Sequence, residues 1–497
     1  MTPVLPLLAA ALAILASGAC ADDRPAFDNP LIIPPLLAPS IGVDGGKTFD
    51  FVLQQGARAF RTGGRTETWG VNGDYLGPTV RVRKGDTVAF NIRNSLPETT
   101  TIHWHGMDLP AIMDGGPYQA IDPGMSWSPH WTVANQAATL WYHPHLMGRT
   151  AEHVHKGIAG FFLIDDDNSD RLAIPKTYGI DDIPAIVQDR TFDAAGNFIY
   201  KPGLDGSFGD TILVNGTLNP FVEVPAGRVR LRLVNASNTR RYDFALSDGR
   251  TFTQIASDGG LLPSPVTHTH LMMAPGERAE IVVDLSGGET IRLVSNAIAV
   301  DGGLFIRTMR RLFRMNLDEG QAFDILELRA PPNVRPPAPL PAMLNTIARI
   351  DPAASVKMRK FVLDESHKIN DKRMDHDRID EIVKSGSIEI WEVEGDWVRA
   401  HSFHIHAVQF QILSRNGAPP APHEMGWKDT VIVGRDEIVR LIMRFPAHND
   451  PLTPYMYHCH LLEHEDGGMM GQFLLVDDHT SAAGFRAPKI GTGGHNH

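Results

Sequence analysis

A thiol, three imidazoles and two thioethers fall within the thirteen residues from His458 to Met470. In an extended segment successive side chains alternate faces, so His458 and His460 point one way and Cys459 the other. One strand can then serve two metal sites back to back, joined through the Cys459 backbone. His464 lies five residues after the cysteine and Met469 five residues after that. Cysteine, two histidines and a weak axial methionine form the donor set of a blue-copper electron-transfer site. A structural cysteine in an accidental histidine cluster would require none of this spacing.

Three more His-x-His pairs accompany His458/His460: His103/His105, His143/His145 and His404/His406. On a strand, residues two apart face the same side at about 6–7 Å, so each pair presents two imidazoles together. Two pairs come from the first third of the chain and two from the last. Eight imidazoles converge only if those regions pack against each other. Neutral imidazole suits copper, and eight nitrogens exceed the needs of one ion and fit three. Other pairs lack such company: His153/His155 in a polar, turn-like stretch, His268/His270 in the middle segment, and His495 with His497 in a Gly-rich tail. None of these is assigned to copper.

These residues need a frame. Within 497 residues, Leu5 to Ala16 is an uncharged apolar run followed by Ala19-Cys20-Ala21. Residues 1–21 read as a secretory signal cleaved near Ala21, favoured over lipidation at Cys20. The chain is accordingly expected to be periplasmic or secreted. Of its two cysteines only Cys459 survives cleavage, which rules out an intramolecular disulfide. A net charge of −12 gives no footprint for nucleic acid, and no later apolar run reaches the length of a membrane span. Short β-branched runs such as Thr87–Ile92, Arg228–Val234 and Val439–Phe445 alternate with Gly- and Pro-rich turns, predicting antiparallel sandwiches. Linkers are expected at Asp165–Asp170 running to Pro175 and at the prolines from 331 to 341. The expected fold is all-β, in three domains at 45–168, 175–332 and 355–478.

Taken together, His-Trp-His-Gly, Trp-Tyr-His-Pro-His, His-Ser-Phe-His-Ile-His and His-Cys-His-x3-His-x4-Met resemble the multicopper oxidases. The resemblance is to the bacterial three-domain branch and runs from about Trp69 to Val476. It includes Asp114-Gly115-Gly116-Pro117, Ala274-Pro275-Gly276-Glu277-Arg278 and Gly426-Trp427-Lys428-Asp429-Thr430. It implies three cupredoxin-like Greek-key β-sandwich domains and four copper ions. Type 1 copper would take His401, Cys459, His464 and axial Met469, a spacing that favours Met469 over Met470. Type 2 would take His103 and His404. The type 3 pair would take His105, His143 and His460 on one copper, and His145, His406 and His458 on the other. The middle domain would carry none.

On that resemblance the expected activity is four one-electron oxidations coupled to reduction of dioxygen to two waters. The partners would be dioxygen and a small-molecule or metal-ion reductant, and the protein a monomer. Asp114 and Glu465 match acidic positions that would deliver protons. Alternatively, Asp114 before Gly-Gly-Pro forms a turn and Glu465 is a loop charge. From Pro331 to Lys384 only Met343, Met358 and Met374 supply thioethers, too few for a cuprous channel, and Met374-Asp375-His376-Asp377 reads as a charged loop. With no insert covering it, the edge of His464 is expected to be open. That favours laccase-like oxidation of phenols and aromatic amines over a cuprous or ferrous oxidase of copper homeostasis. A copper-free cupredoxin scaffold of the cell envelope is the remote alternative, since all twelve ligand positions are filled.

Overall fold

The computed structural model describes residues 26–477 except 62, 204, 299–319 and 333–337. The leader, Cys20, His495 and His497 lie outside the described residues.

The chain is all-β, and its strands form three pairs of facing sheets. In the first pair, Val80–Arg83, Gly160–Asp165, Ala138–His143 and His103–His105 face a sheet built on Lys47–Arg58 and Thr87–Asn94. Alternation in Thr87–Asn94 buries Val88, Phe90 and Ile92, which join Phe49, Phe51, Trp104 and Tyr142 in one core. A second pair is centred on Asp182–Arg190, Arg228–Asn235 and Arg278–Asp284, facing Tyr242–Leu246, Thr290–Asn296 and Phe323–Arg329. The third sets Lys357–Asp364, Ile388–Glu394, Ile438–Arg444 and Phe410–Arg415 against Met470–Val476, Asp450–Cys459, His401–Ile405 and Thr430–Val433.

Several details depart from expectation. The sheets are mixed rather than purely antiparallel: Lys47–Leu53 runs parallel to Val88–Asn94, and Lys357–Val362 to Glu389–Glu394. Parallel neighbours cannot be joined by a tight hairpin and require a longer crossover connection, which these strands have. Asn29–Pro30 pairs with Pro220–Phe221, so the earliest strand belongs to the middle pair of sheets. The acidic stretch after Asp165 is pinned, not loose. Asp166 caps the helix Asp167–Arg171, and Arg81 and Arg83 pair with Asp165, Asp167 and Asp170. His153 and His155 sit in the helix Thr150–Lys156 and are buried, not in a polar turn. That helix packs Ala151 and Val154 on Leu462, which explains why its histidines are drawn inside.

Polar ties hold the first and third sheet pairs together. Asp466 accepts from the backbone N–H groups of Thr150 and Ala151 at 3.0 and 2.9 Å. Arg278, from the middle pair, donates to both Asp429 oxygens at 2.6 and 2.5 Å and to the Thr139 carbonyl at 3.1 Å. One guanidinium thus touches all three sheet pairs. Beside it Lys428 binds Asp258 at 2.8 Å and Glu277 at 3.1 Å.

Candidate metal centre

Strand alternation sorts the donors. In His401–Ile405, Phe403 and Ile405 enter the third core together with Cys459 and Met469. His404 therefore faces the other way, and in register it pairs with His458. In the first sheet pair Trp104 and Tyr142 point into the core, which turns His103, His105 and His143 outward toward the third. All eight pair histidines are buried where the two regions meet.

The donor nitrogens group within 4.8 Å as His105, His143 and His460; as His145, His406 and His458; and as His103, His105 and His404. In the second group the three Nε2 atoms stand 3.1–3.2 Å apart. His406 Nδ1 donates to Asp114 Oδ2 at 2.6 Å, and His458 Nδ1 lies 3.2 Å from Glu465 Oε2. His458 Nδ1 also bonds the Cys459 carbonyl at 3.1 Å. Ionised carboxylates and carbonyls only accept, so the His406 and His458 protons sit on Nδ1 and leave Nε2 lone pairs facing one another. His103 Nδ1 and His404 Nδ1 likewise donate to the Asp114 and Asp429 carbonyls, each at 2.8 Å. Their Nε2 atoms, and both ring nitrogens of His460, are buried without a partner. Burial, reinforced by neighbouring imidazoles, holds His105, His143, His404 and His406 well below the usual histidine range, and brings His460 to about 3. Converging neutral imidazole lone pairs are a site for a cation, and the donor set fits copper.

Across the strand, Cys459 Sγ lies 3.6 Å from His401 Nδ1 and 3.8 Å from His464 Nδ1, and Met469 is fully buried in the same core. The Met469 N–H bonds the His464 carbonyl at 2.9 Å, and the Cys459 N–H the Met469 carbonyl at 3.0 Å, closing the loop. Burial opposes charge on His401, but Asp396, 3.1 Å from its Nε2, and the Cys459 sulfur together raise it to about 9. A positive charge is welcome at this position. These residues would hold a type 1 copper, whose contribution is reversible one-electron chemistry at the sulfur.

Sequence reasoning placed the twelve donors, Asp114 and Glu465 together, and both carboxylates are buried against imidazoles rather than in a solvated turn or loop. It missed Asp396, Asp429, Arg399 and His367. Asp429 lies in one of the quoted strings, whereas the other three carry no local signature. The open edge expected at His464 is absent. His464 is fully buried, with the His367 ring stacked 4.3 Å away and Arg399 Nη1 3.1 Å from its Nε2. Among the described residues His268 and His270 join no donor group, and His270 is exposed beside Asp243.

Buried sets of this kind on paired cupredoxin-like sandwiches define a copper protein class. Residues 53–169 and 339–479 match the multicopper oxidase family, and the chain belongs to that family. Among its relatives is cell division protein FtsP of Salmonella typhimurium strain LT2, 39% identical over 454 residues, covering 90% of this chain and 93% of that protein. FtsP of Escherichia coli strain K12 is 38% identical over the same length. Solved structures resemble it too. A laccase from Pediococcus acidilactici aligns with TM-score 0.81 and 33% identity, covering 91% of this chain and 95% of that one. The McoA multicopper oxidase from Aquifex aeolicus aligns with TM-score 0.80 and 31% identity, covering 90% and 99%.

These relatives correct the expected activity. Full-length proteins 38–39% identical to this chain are named for cell division, which overturns the expectation of laccase-like phenol oxidation and its cuprous or ferrous alternative. The covered His464 edge agrees with that correction, because the phenol reading rested on an open one.

Proposed function

We propose that this protein serves cell division from the bacterial cell envelope, as an exported monomer that carries copper in the sites above. The observation that carries the reading is identity of 38–39% along 90% of the chain with proteins named for division. The copper part rests on converging lone pairs that no protein donor satisfies. Four ions are proposed: one at His401, Cys459, His464 and Met469; one at His103 and His404; and a pair at His105, His143, His460 and at His145, His406, His458. In this reading Asp114 fixes the His406 tautomer by accepting its Nδ1 proton, and Glu465 places a carboxylate beside His145 and His458.

Deleting the gene in its host should lengthen cells and misplace or delay septa. The parent gene should restore them, and normal division under envelope stress would remove the reading. Metal analysis of the purified protein should return four coppers per chain, with an intense blue band that Cys459→Ser abolishes.

A redox use of the loaded sites is the second reading. One observation favours it: Cys459 ends the strand Asp450–Cys459 between His458 and His460, so the two donor sets share a backbone. A reversible potential on an electrode would support it, and a copper that stays in one oxidation state would not.

A further inference from the structure

Beside the His145, His406 and His458 group lies a cluster of a different chemical kind. Met374, Met456 and Met470 are buried against one another, with Met147 and Tyr118 packed on them. The chain has seventeen methionines, and four of them meet here from four separate segments, with no Leu, Ile, Val or Phe in the cluster. Sequence position hides this gathering, since of these four only Met374 falls between Pro331 and Lys384. The other two methionines of that stretch, Met343 and Met358, are 69% and 60% exposed.

Register explains the placement. Met456 is two residues before His458 on one strand and so shares its face. Met470 is the direct cross-strand partner of His458, and side chains of facing residues lie on one side of the sheet. Met147 follows His145 by two residues. Three of the four thioethers are therefore adjacent, by strand register or sequence, to two imidazoles of one donor group. Cys459 and Met469 are sorted into the opposite core.

The surroundings favour a cation. His376 Nδ1 is buried without a hydrogen-bond partner, and its ring meets the Tyr118 ring edge-on at 5.5 Å. Gln472 Nε2 donates to the Asp375 and His376 carbonyls at 3.0 and 3.1 Å, which fixes the loop over the methionines. Burial, with Asp377, Asp375 and Asp380 nearby, pushes the Tyr118 hydroxyl up to about 12. Arg378 is the opposing positive charge, and it is engaged by Asp380 at 2.7 Å.

We infer that Met147, Met374, Met456 and Met470, with His376 at the rim, form a binding site for a soft monovalent cation, copper(I). Thioether sulfur selects copper(I) over the harder divalent ions, and methionine is flexible enough to close on it. Its place against His145 and His458 makes it a waiting position from which copper can pass to the imidazoles. The site stands apart from the division reading and does not depend on it.

Silver(I), which binds soft donors without changing oxidation state, is the probe. The full-length protein, with copper as purified, is labelled with carbon-13 at the methionine methyls and titrated by NMR. The methyls of Met147, Met374, Met456 and Met470 should shift on one common saturation curve. Silver captured at Cys459 is read separately on Met469. Met147→Leu with Met374→Leu nearly conserves volume and should weaken this binding at least tenfold, whereas Met343→Leu with Met358→Leu should leave it unchanged. Silver that shifts other methyls first, or leaves these four still at several equivalents, overturns the site. The methyl readout in the parent protein decides the matter even if the leucine variants fold poorly.

Discussion

Asp114 shows how one side chain can organise a buried metal centre from outside it. Its carbonyl accepts from His103 Nδ1 and its carboxylate from His406 Nδ1, so two rings on different sheet pairs are oriented by one residue. Asp114→Asn keeps the shape but removes the charge that holds the His406 proton on Nδ1. Copper affinity measured against a competing chelator should fall roughly ten- to a hundredfold, as it does when partners behind metal-ligating histidines are lost. Equal retention in variant and parent would remove Asp114 from that role. The donors themselves were readable at this scale because each pair, and the cysteine between two histidines, carries its geometry in its spacing. His367, Arg399 and Asp396 were not readable. Each reaches its histidine through a loop fold, and a stacked ring or a guanidinium over a ring edge leaves no periodic trace.

Among the elements, the helix Thr150–Lys156 depends on protonation through His153. Burial outweighs the pull of Glu98 and lowers His153 to about 4, while its Nδ1 meets Thr100 Oγ1 at 2.9 Å. A histidine depressed in the folded state takes up its proton more readily when unfolded. Its stabilisation is therefore complete above the unfolded value near 6.5 and is lost as pH falls toward about 4. The ceiling is about 3 kcal/mol for a shift of this size. Denaturant unfolding at steps between pH 7 and pH 4 should show a shallower loss of stability in His153→Gln than in the parent. Identical slopes would mean that this ring does not titrate in that window. Local polarity suggested a turn here because helix burial is set by Leu462 and Trp69, distant in sequence. Strands fared better, since a period of two identifies a half-buried strand from its own residues. Which strands lie parallel depends on how the chain returns, and no local pattern encodes that.

In the whole molecule, Arg278 and Asp429 are the joint on which the sheet pairs meet, and Asp429 Oδ1 also lies 3.1 Å from His105 Nε2. Both residues sit in strings quoted from the sequence, yet neither string says that they bind each other. Gly276 admits the arrangement. At φ +87° it lies so close to the His460 ring that a Cβ would fall 2.8 Å from it. Removing one partner of a buried ion pair strands the other, at a cost of about 3–5 kcal/mol. Arg278→Ala should lower the calorimetric unfolding temperature and split one transition into two as the sheet pairs separate. A single transition at the parent temperature would show that the joint carries no load. The donor cage has a consequence for the order in which this molecule can be built. Its nitrogens begin at His103 and its last donor is Met469, so the cavity does not exist until segments from both ends of that long span have been made and have met. A nascent chain, or one clipped before His458, would lack His458, Cys459, His460, His464 and Met469 and so could complete neither donor set.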